Sequence, residues 1–232
     1  MEKNNNLFEW FDRIIESSSQ AVEYAEKHFE QLHDREKKAV KNVITSLGYG
    51  LGIACPSLIV HRVVGGNKKG VVIKEAPKGK EYNVISYDKK ENPIAVRSYD
   101  KFGTQDAYYF YKLGEYIWAV KLDDHTGKAA LCDIYRILFQ NRKIKSYYEI
   151  CLTPYVDSLW GEEYEYPEDE SISVRCRQYS YTKEKVQILK DIPVGLECSP
   201  LSEYLYEISG DGKKIAEYEK VGNNYEFCRE YV

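Results

Sequence analysis

Residues 81–122 read EYNVISYDKKENPIAVRSYDKFGTQDAYYFYKLGEYIWAVKL, and this stretch decides the fold. Apolar and polar side chains alternate with a period of two, the signature of half-buried strands. The alternation is interrupted by DKKENP, DKFGT and KLG, each rich in the residues that make tight turns. Strand, turn and strand therefore follow one another at intervals of about a dozen residues, as in an antiparallel meander. The same rhythm extends outward. Downstream lie AALCDIYRILF (its apolar spacing also fits a helix), IKSYYEICL, ISVRCRQYSY, KVQILK, LSEYLYEIS, KKIAEYEK and NYEFCREY. Upstream, SLIVHRVV and VVIKE from Ser57 onward read as two further strands. Twenty-two tyrosines against seven phenylalanines and one methionine fit a sheet with an aromatic, partly wet face.

The N-terminus reads differently. Leu7, Phe11, Ile14, Ser18, Val22, Ala25, Phe29 and Leu32 follow one face of a 3.6-residue period. Asn6 with Glu9 fits a capping box. The rhythm falters at His33 and Asp34 and resumes at Val40, Val43, Ile44 and Leu47, giving one kinked helix or two, closed by Gly48. The expected fold is α+β. A helical segment over 1–52 packs on a Tyr-rich antiparallel β domain over 53–232, an open sheet or partial barrel of roughly ten to thirteen strands.

The formal charge of −4 is unevenly spread. Residues 61–150 carry 17 basic and 11 acidic side chains, whereas residues 151–232 carry 9 basic and 17 acidic. The basic excess is modest for a nucleic-acid interface, and lysines at turns also guard sheet edges, so a weak nucleic-acid binder is only an alternative. The acidic third suits a partner with a basic surface. No stretch has the make-up of a secretory signal, and the six cysteines form no CxxC pair, so reduced thiols in a cytoplasmic setting are expected. The uncharged run from Asn42 to Val60 holds three glycines and a proline, which argues for a loop and buried strand over a membrane span. Gly48, Gly50 and Gly52 match a phosphate loop in spacing only, because a helix is expected before them and a strand after.

Two places carry candidate chemistry. Asp123, Asp124 and His125 share a turn, with Cys132 seven residues on. Such a set could serve a small metal-dependent hydrolase or nuclease, although it matches no metal-ligand spacing and no cofactor is implied. His28 and His33, five residues apart, do not share a helix face as a zinc pair would. The segment from Trp160 to Glu170, WGEEYEYPEDE, interleaves aromatics with acids. In a docking surface Trp160, Tyr164 and Tyr166 anchor the partner, while Glu162, Glu163, Glu165, Asp169 and Glu170 steer it. The alternative is an exposed acidic loop.

Tyr87-Asp88, Tyr99-Asp100 with Gly103, and Tyr206 with Asp211-Gly212 repeat a strand-then-turn unit. The unit resembles the YD repeats of Rhs-type bacterial toxin shells, over about a third of the chain. The glycine that would follow Asp88 is absent. The resemblance implies β-hairpins and a setting in competition between bacteria. With no catalytic motif, the expected function is a non-catalytic binding module, in concrete form an immunity-type protein that occludes a toxin.

Overall fold

A computed structural model describes residues 5–63, 68–100, 102–152, 156–167, 171–182 and 199–232. Helix α1 spans Asn5–Lys27 and α2 spans Phe29–Lys37. Along α1, Ile14, Ser18, Ala21 and Ala25 are buried, three or four residues apart. The small side chains bring the helix backbone close enough for the Tyr111 hydroxyl to donate to the Ala21 carbonyl at 2.6 Å. The break falls at His28, earlier than the sequence rhythm indicates. There the imidazole stacks on Tyr24, and Nδ1 lies 2.8 Å from the Tyr24 carbonyl.

Among the described residues twelve strands follow: β1 (Lys41–Ser46), β2 (Tyr82–Tyr87), β3 (Pro93–Asp100), β4 (Gly103–Leu113), β5 (Tyr116–Asp123), β6 (Ala129–Gln140), β7 (Lys143–Leu152), β8 (Val156–Glu165), β9 (Ile172–Thr182), β10 (Ser199–Ile208), β11 (Ile215–Val221) and β12 (Asn224–Tyr231). They form one antiparallel sheet whose spatial order is the sequence order, β1 through β12, and which does not close. The expected α+β architecture with an open meander is therefore what the chain adopts. Among the described residues no helix is long and apolar enough to cross a membrane.

Several turns owe their shape to aspartates. Asp88 accepts from the Lys90 and Asn92 amides, and Asp211 accepts from the Lys213 amide and the Ser209 hydroxyl. Asp100 accepts from the Phe102 amide at 2.7 Å. In each, a short carboxylate substitutes for a backbone acceptor.

Four local readings need correction. Residues 40–47 do not continue the helix. Lys41–Ser46 pair with β2, with Val43 opposite Ile85 and Thr45 opposite Asn83. The spacing fits either state, and β-branched Val43, Ile44 and Thr45 settle on the pleat. Residues 57–63 of the run SLIVHRVV are not a strand either. Ser57 Oγ accepts from the Ile59 and Val60 amides and caps the short helix α3 (Val60–Val63). Residues 71–73 contribute only a bridge, Val72 to Thr45, along the outer side of β1. Last, the glycine loop follows a strand and leads into a three-residue 3₁₀ turn, Gly52–Ala54. Its glycines serve packing. A Cβ on Gly48 would lie 2.6 Å from the Lys69 carbonyl oxygen, and one on Gly50 would lie 2.3 Å from the Tyr135 hydroxyl. The segment read as KVQILK lies outside the described residues.

The chain divides into two units, residues 17–135 and residues 1–16 with 136–232. The first is built around Ile85, Val96, Tyr109, Trp118, Leu122 and Tyr135, the second around Tyr147, Ile150, Leu159, Tyr164, Val174 and Ile215. Of the cysteines, Cys55 and Cys176 are buried thiols, Cys151 is partly exposed and Cys228 is exposed, all four unbridged. Burial pushes the Cys176 thiol up, and the charges of Glu162 and Glu217 push it further, which disfavours the reactive thiolate.

Candidate functional site

The turn after β5 sends its three candidate residues in different directions. Asp123 is consumed by the turn itself. Its Oδ1 accepts from the Thr126 hydroxyl at 2.8 Å, the Thr126 amide at 2.7 Å and the His125 amide at 3.1 Å. Those bonds, led by the Thr126 hydroxyl, hold its carboxyl below the usual range. His125 is exposed. Asp124 points the other way, towards Arg97 on β3. The trio therefore does not converge on one reacting position, and the described residues contain no group of three or more His, Cys, Asp and Glu able to hold a metal. The Cys132 side chain lies outside what is described.

Arg97 is the centre of a different cluster. Its side chain is only 8% exposed and follows the buried apolar run Ile94–Val96, so it must be paired to be tolerated. Nε and Nη2 fork onto the two carboxylate oxygens of Glu36 at 3.0 and 2.5 Å. Nη1 lies 2.5 Å from Asp124 Oδ2, and Nη2 also donates to the Tyr109 hydroxyl at 3.0 Å. His33 completes the group, with Nδ1 3.0 Å from the same hydroxyl and 3.8 Å from both carboxylates. Helix α2 is held over the strands by Arg35, whose Nη2 donates to the Phe110 carbonyl at 2.6 Å. Burial is the largest influence on Arg97 and opposes its charge, yet the hydrogen bonds to Glu36 and Asp124 overcome it and raise the guanidinium pKa. The result is one buried cation between two carboxylates, beside a cleft of about 330 Å³.

The second candidate segment is not a loop. Trp160 to Glu165 lie in β8, hydrogen-bonded to β7 on one side and β9 on the other. Strand geometry sorts them by parity. Glu162 and Tyr164 are both 0% exposed, which removes them from any exposed docking surface. Glu162 accepts from Trp160 Nε1 at 2.8 Å and from the Tyr164 hydroxyl, so the carboxylate is solvated by its own neighbours. Trp160 is partly exposed. Tyr166, also partly exposed, donates to the Ile144 carbonyl at 2.9 Å. Glu163 and Glu165 lie on the opposite face from Glu162; Glu165 is exposed and Glu163 partly so. Asp169 and Glu170 lie outside the described residues.

On the Glu163 face a line of opposite charges crosses four strands. Arg177 on β9 lies 3.6 Å from Glu163 and 3.2 Å from Glu203 on β10, and Lys220 on β11 lies 3.2 Å from Glu203. Tyr225 on β12 donates to Glu203 at 2.5 Å. Beyond Glu203, Tyr218 and Phe227 meet edge to face at 5.7 Å, and the Tyr218 hydroxyl donates to Glu207 at 3.1 Å. Phe227 is 62% exposed, so a large ring faces water at the rim of these charges.

Glu203 gives a test of this network. Burial alone would raise its carboxyl pKa, but the Tyr225 hydroxyl, the Arg177 charge and Lys220 outweigh burial and hold it below the ordinary value. A depressed folded pKa contributes stability that is present above the unfolded pKa of about 4.3 and is lost as pH falls through the lower folded value. Urea midpoints measured on both sides of that window should therefore drop further with acid for the wild type than for Glu203→Gln. Parallel curves for the two proteins would show that the network is not coupled to folding.

Compared with known proteins, the chain matches no family model, no curated protein and no solved structure. Sequence reasoning passed over Arg97 and Glu36 and weighed His33 only against His28. The available signal was a single arginine inside IAVRSY, since a lone charge beside buried apolar residues requires buried counter-charges.

Proposed function

We propose that the protein is a non-catalytic protein-binding module that docks a partner with a basic surface on the face of β8–β12 bearing Glu163. The observation that carries this reading is the exposed Phe227 ring, packed on the partly exposed Tyr218 with the Glu207 carboxylate beside the pair. Phe227 supplies an anchor that loses water on binding, and the exposed Glu207, bonded to the Tyr218 hydroxyl, supplies an acidic charge beside it. An aromatic centre with a charged rim is the usual anatomy of a docking patch. The 17 acidic against 9 basic side chains of residues 151–232 set the sign of the partner. Occlusion of a toxin by an immunity-type protein is the finer form of the reading. It is supported by the same acidic surface and by the resemblance of the Tyr-Asp hairpins to Rhs-type repeats.

The test is capture of partners from a lysate of the source organism on the wild type, on Glu207→Lys and on Phe227→Ser, followed by association kinetics with the captured protein. Glu207→Lys should slow association and flatten its salt dependence, because rim charges act on the approach. Phe227→Ser should chiefly speed dissociation, by about tenfold or more. A partner held equally by all three proteins would sink the proposal.

A further inference from the structure

The cleft beside Arg97 has no role in the docking reading, and its lining is specific enough to name a ligand. We infer that it binds a small organic cation that carries N–H donors, an alkylguanidinium or alkylammonium head group. Three observations carry the inference, each independent of the face of β8–β12. The first is charge. Glu36 and Asp124 bring two carboxylates to one wall, against the single guanidinium of Arg97. Lys37 also borders the cleft, but its side chain is 61% exposed and its ammonium lies 3.4 Å from Asp34, which offsets it at the rim. Arg97 occupies only some of the roughly four acceptor positions of each carboxylate, and the others remain for a second cation.

The second observation is a hydroxyl on the cleft wall. Ser86 on β2 is 4% exposed and lines the cleft, yet its hydroxyl has no hydrogen-bond partner among the described residues. The hydroxyl opens onto the cleft, where a ligand donor can bond to it. Asn42, directly across from Ser86 on β1, adds a side-chain amide to the lining. The third is an aromatic wall. Tyr99 lines the cleft, and its ring is fixed by stacking on Tyr82 at 4.8 Å with planes 2° apart. A ring beside carboxylates is an environment that a desolvated guanidinium or ammonium prefers. An anion would meet the two carboxylates first, because the Arg97 donors are already directed at Glu36, Asp124 and Tyr109. The volume of about 330 Å³ admits a head group with a short alkyl tail.

The experiment is a titration of the full, nitrogen-labelled chain, followed by NMR, with ethylguanidinium, with butylammonium, with tetramethylammonium (a cation without N–H donors) and with sodium sulfate. Saturable shifts at the amides of Asn42, Ser86 and Tyr99 are expected with the first two probes, at a dissociation constant on the order of 1 mM. Tetramethylammonium should bind at least about tenfold more weakly, since it cannot donate to Ser86, Asn42 or the carboxylates. Asn42→Lys places a fixed cation at the exposed mouth and should abolish saturation while leaving the thermal midpoint unchanged. Ser86→Ala, which removes that hydroxyl and keeps the fold, should weaken ethylguanidinium about threefold or more. An arginine-centred peptide that binds tighter than ethylguanidinium would assign the cation to a protein chain, and equal affinity would assign it to a free small amine. The inference is overturned if no probe gives saturable shifts, if sulfate gives them instead, or if Asn42→Lys binds ethylguanidinium as the wild type does.

Discussion

Arg97→Met should lower the unfolding free energy by about 3–5 kcal/mol, the cost of stranding buried charges when their counter-ion is removed. For a chain of this size that corresponds to a fall of about 6–20 °C in thermal midpoint. Methionine fills much of the space of the arginine stem, so the loss is not mainly one of volume. It arises because Glu36 and Asp124, drawn in by the guanidinium, are left near each other with no cation between them. Tyr109 loses a donor at the same time. The control is the triple variant Arg97→Met with Glu36→Gln and Asp124→Asn, measured by urea denaturation. Removing both charges should recover most of the loss, because a neutral cluster has nothing to repel. A triple variant no more stable than the single one would show that Arg97 acts through shape and not through charge.

Glu162→Ala should cost about 3 kcal/mol or more. The change removes the acceptor shared by Trp160 Nε1 and the buried Tyr164 hydroxyl, at about 1–3 kcal/mol per lost bond, and it opens a cavity beside them. Glu162→Gln keeps one acceptor and should lose less. Association with a basic partner should be unaltered in the folded fraction of Glu162→Ala, in contrast to Glu207→Lys. A Glu162→Ala protein with wild-type stability and slowed association would return this residue to the surface.

Both predictions concern residues whose roles were hard to read in the chain alone, and the reasons differ. The meander was legible because it is written twice, once in the alternation of 81–122 and again in turns such as DKKENP, where Asp88 fixes the bend by its own hydrogen bonds. Strand β1 was not legible, because Val40, Val43, Ile44 and Leu47 satisfy a helical period as well as a pleated one. Only pairing with β2 decides between them. The acidic segment misled for a related reason. Clustered acids look solvated, but alternation sends Glu162 and Glu163 to opposite faces, and burial of the former depends on Trp160 and Tyr164 as donors. The Arg97 cluster gathers side chains from α2, β3, β4 and the turn after β5. No local spacing records that gathering; only the isolated charge of Arg97 in its strand hints at it.

The sequential order of the sheet has a consequence for how the molecule forms. Each strand needs to find only the strand that precedes it in the chain, so every pairing that defines the sheet joins strands consecutive in sequence. Loop closure for a new pairing costs little wherever the connecting turn is short, as it is for most of these strands. Proteins dominated by such contacts fold faster than β-structures of the same size in which distant strands must meet. A nucleus at any hairpin can then grow by adding neighbours at either side. The same wiring lets the last hairpin, β11–β12, open by itself without breaking the pairings before β10.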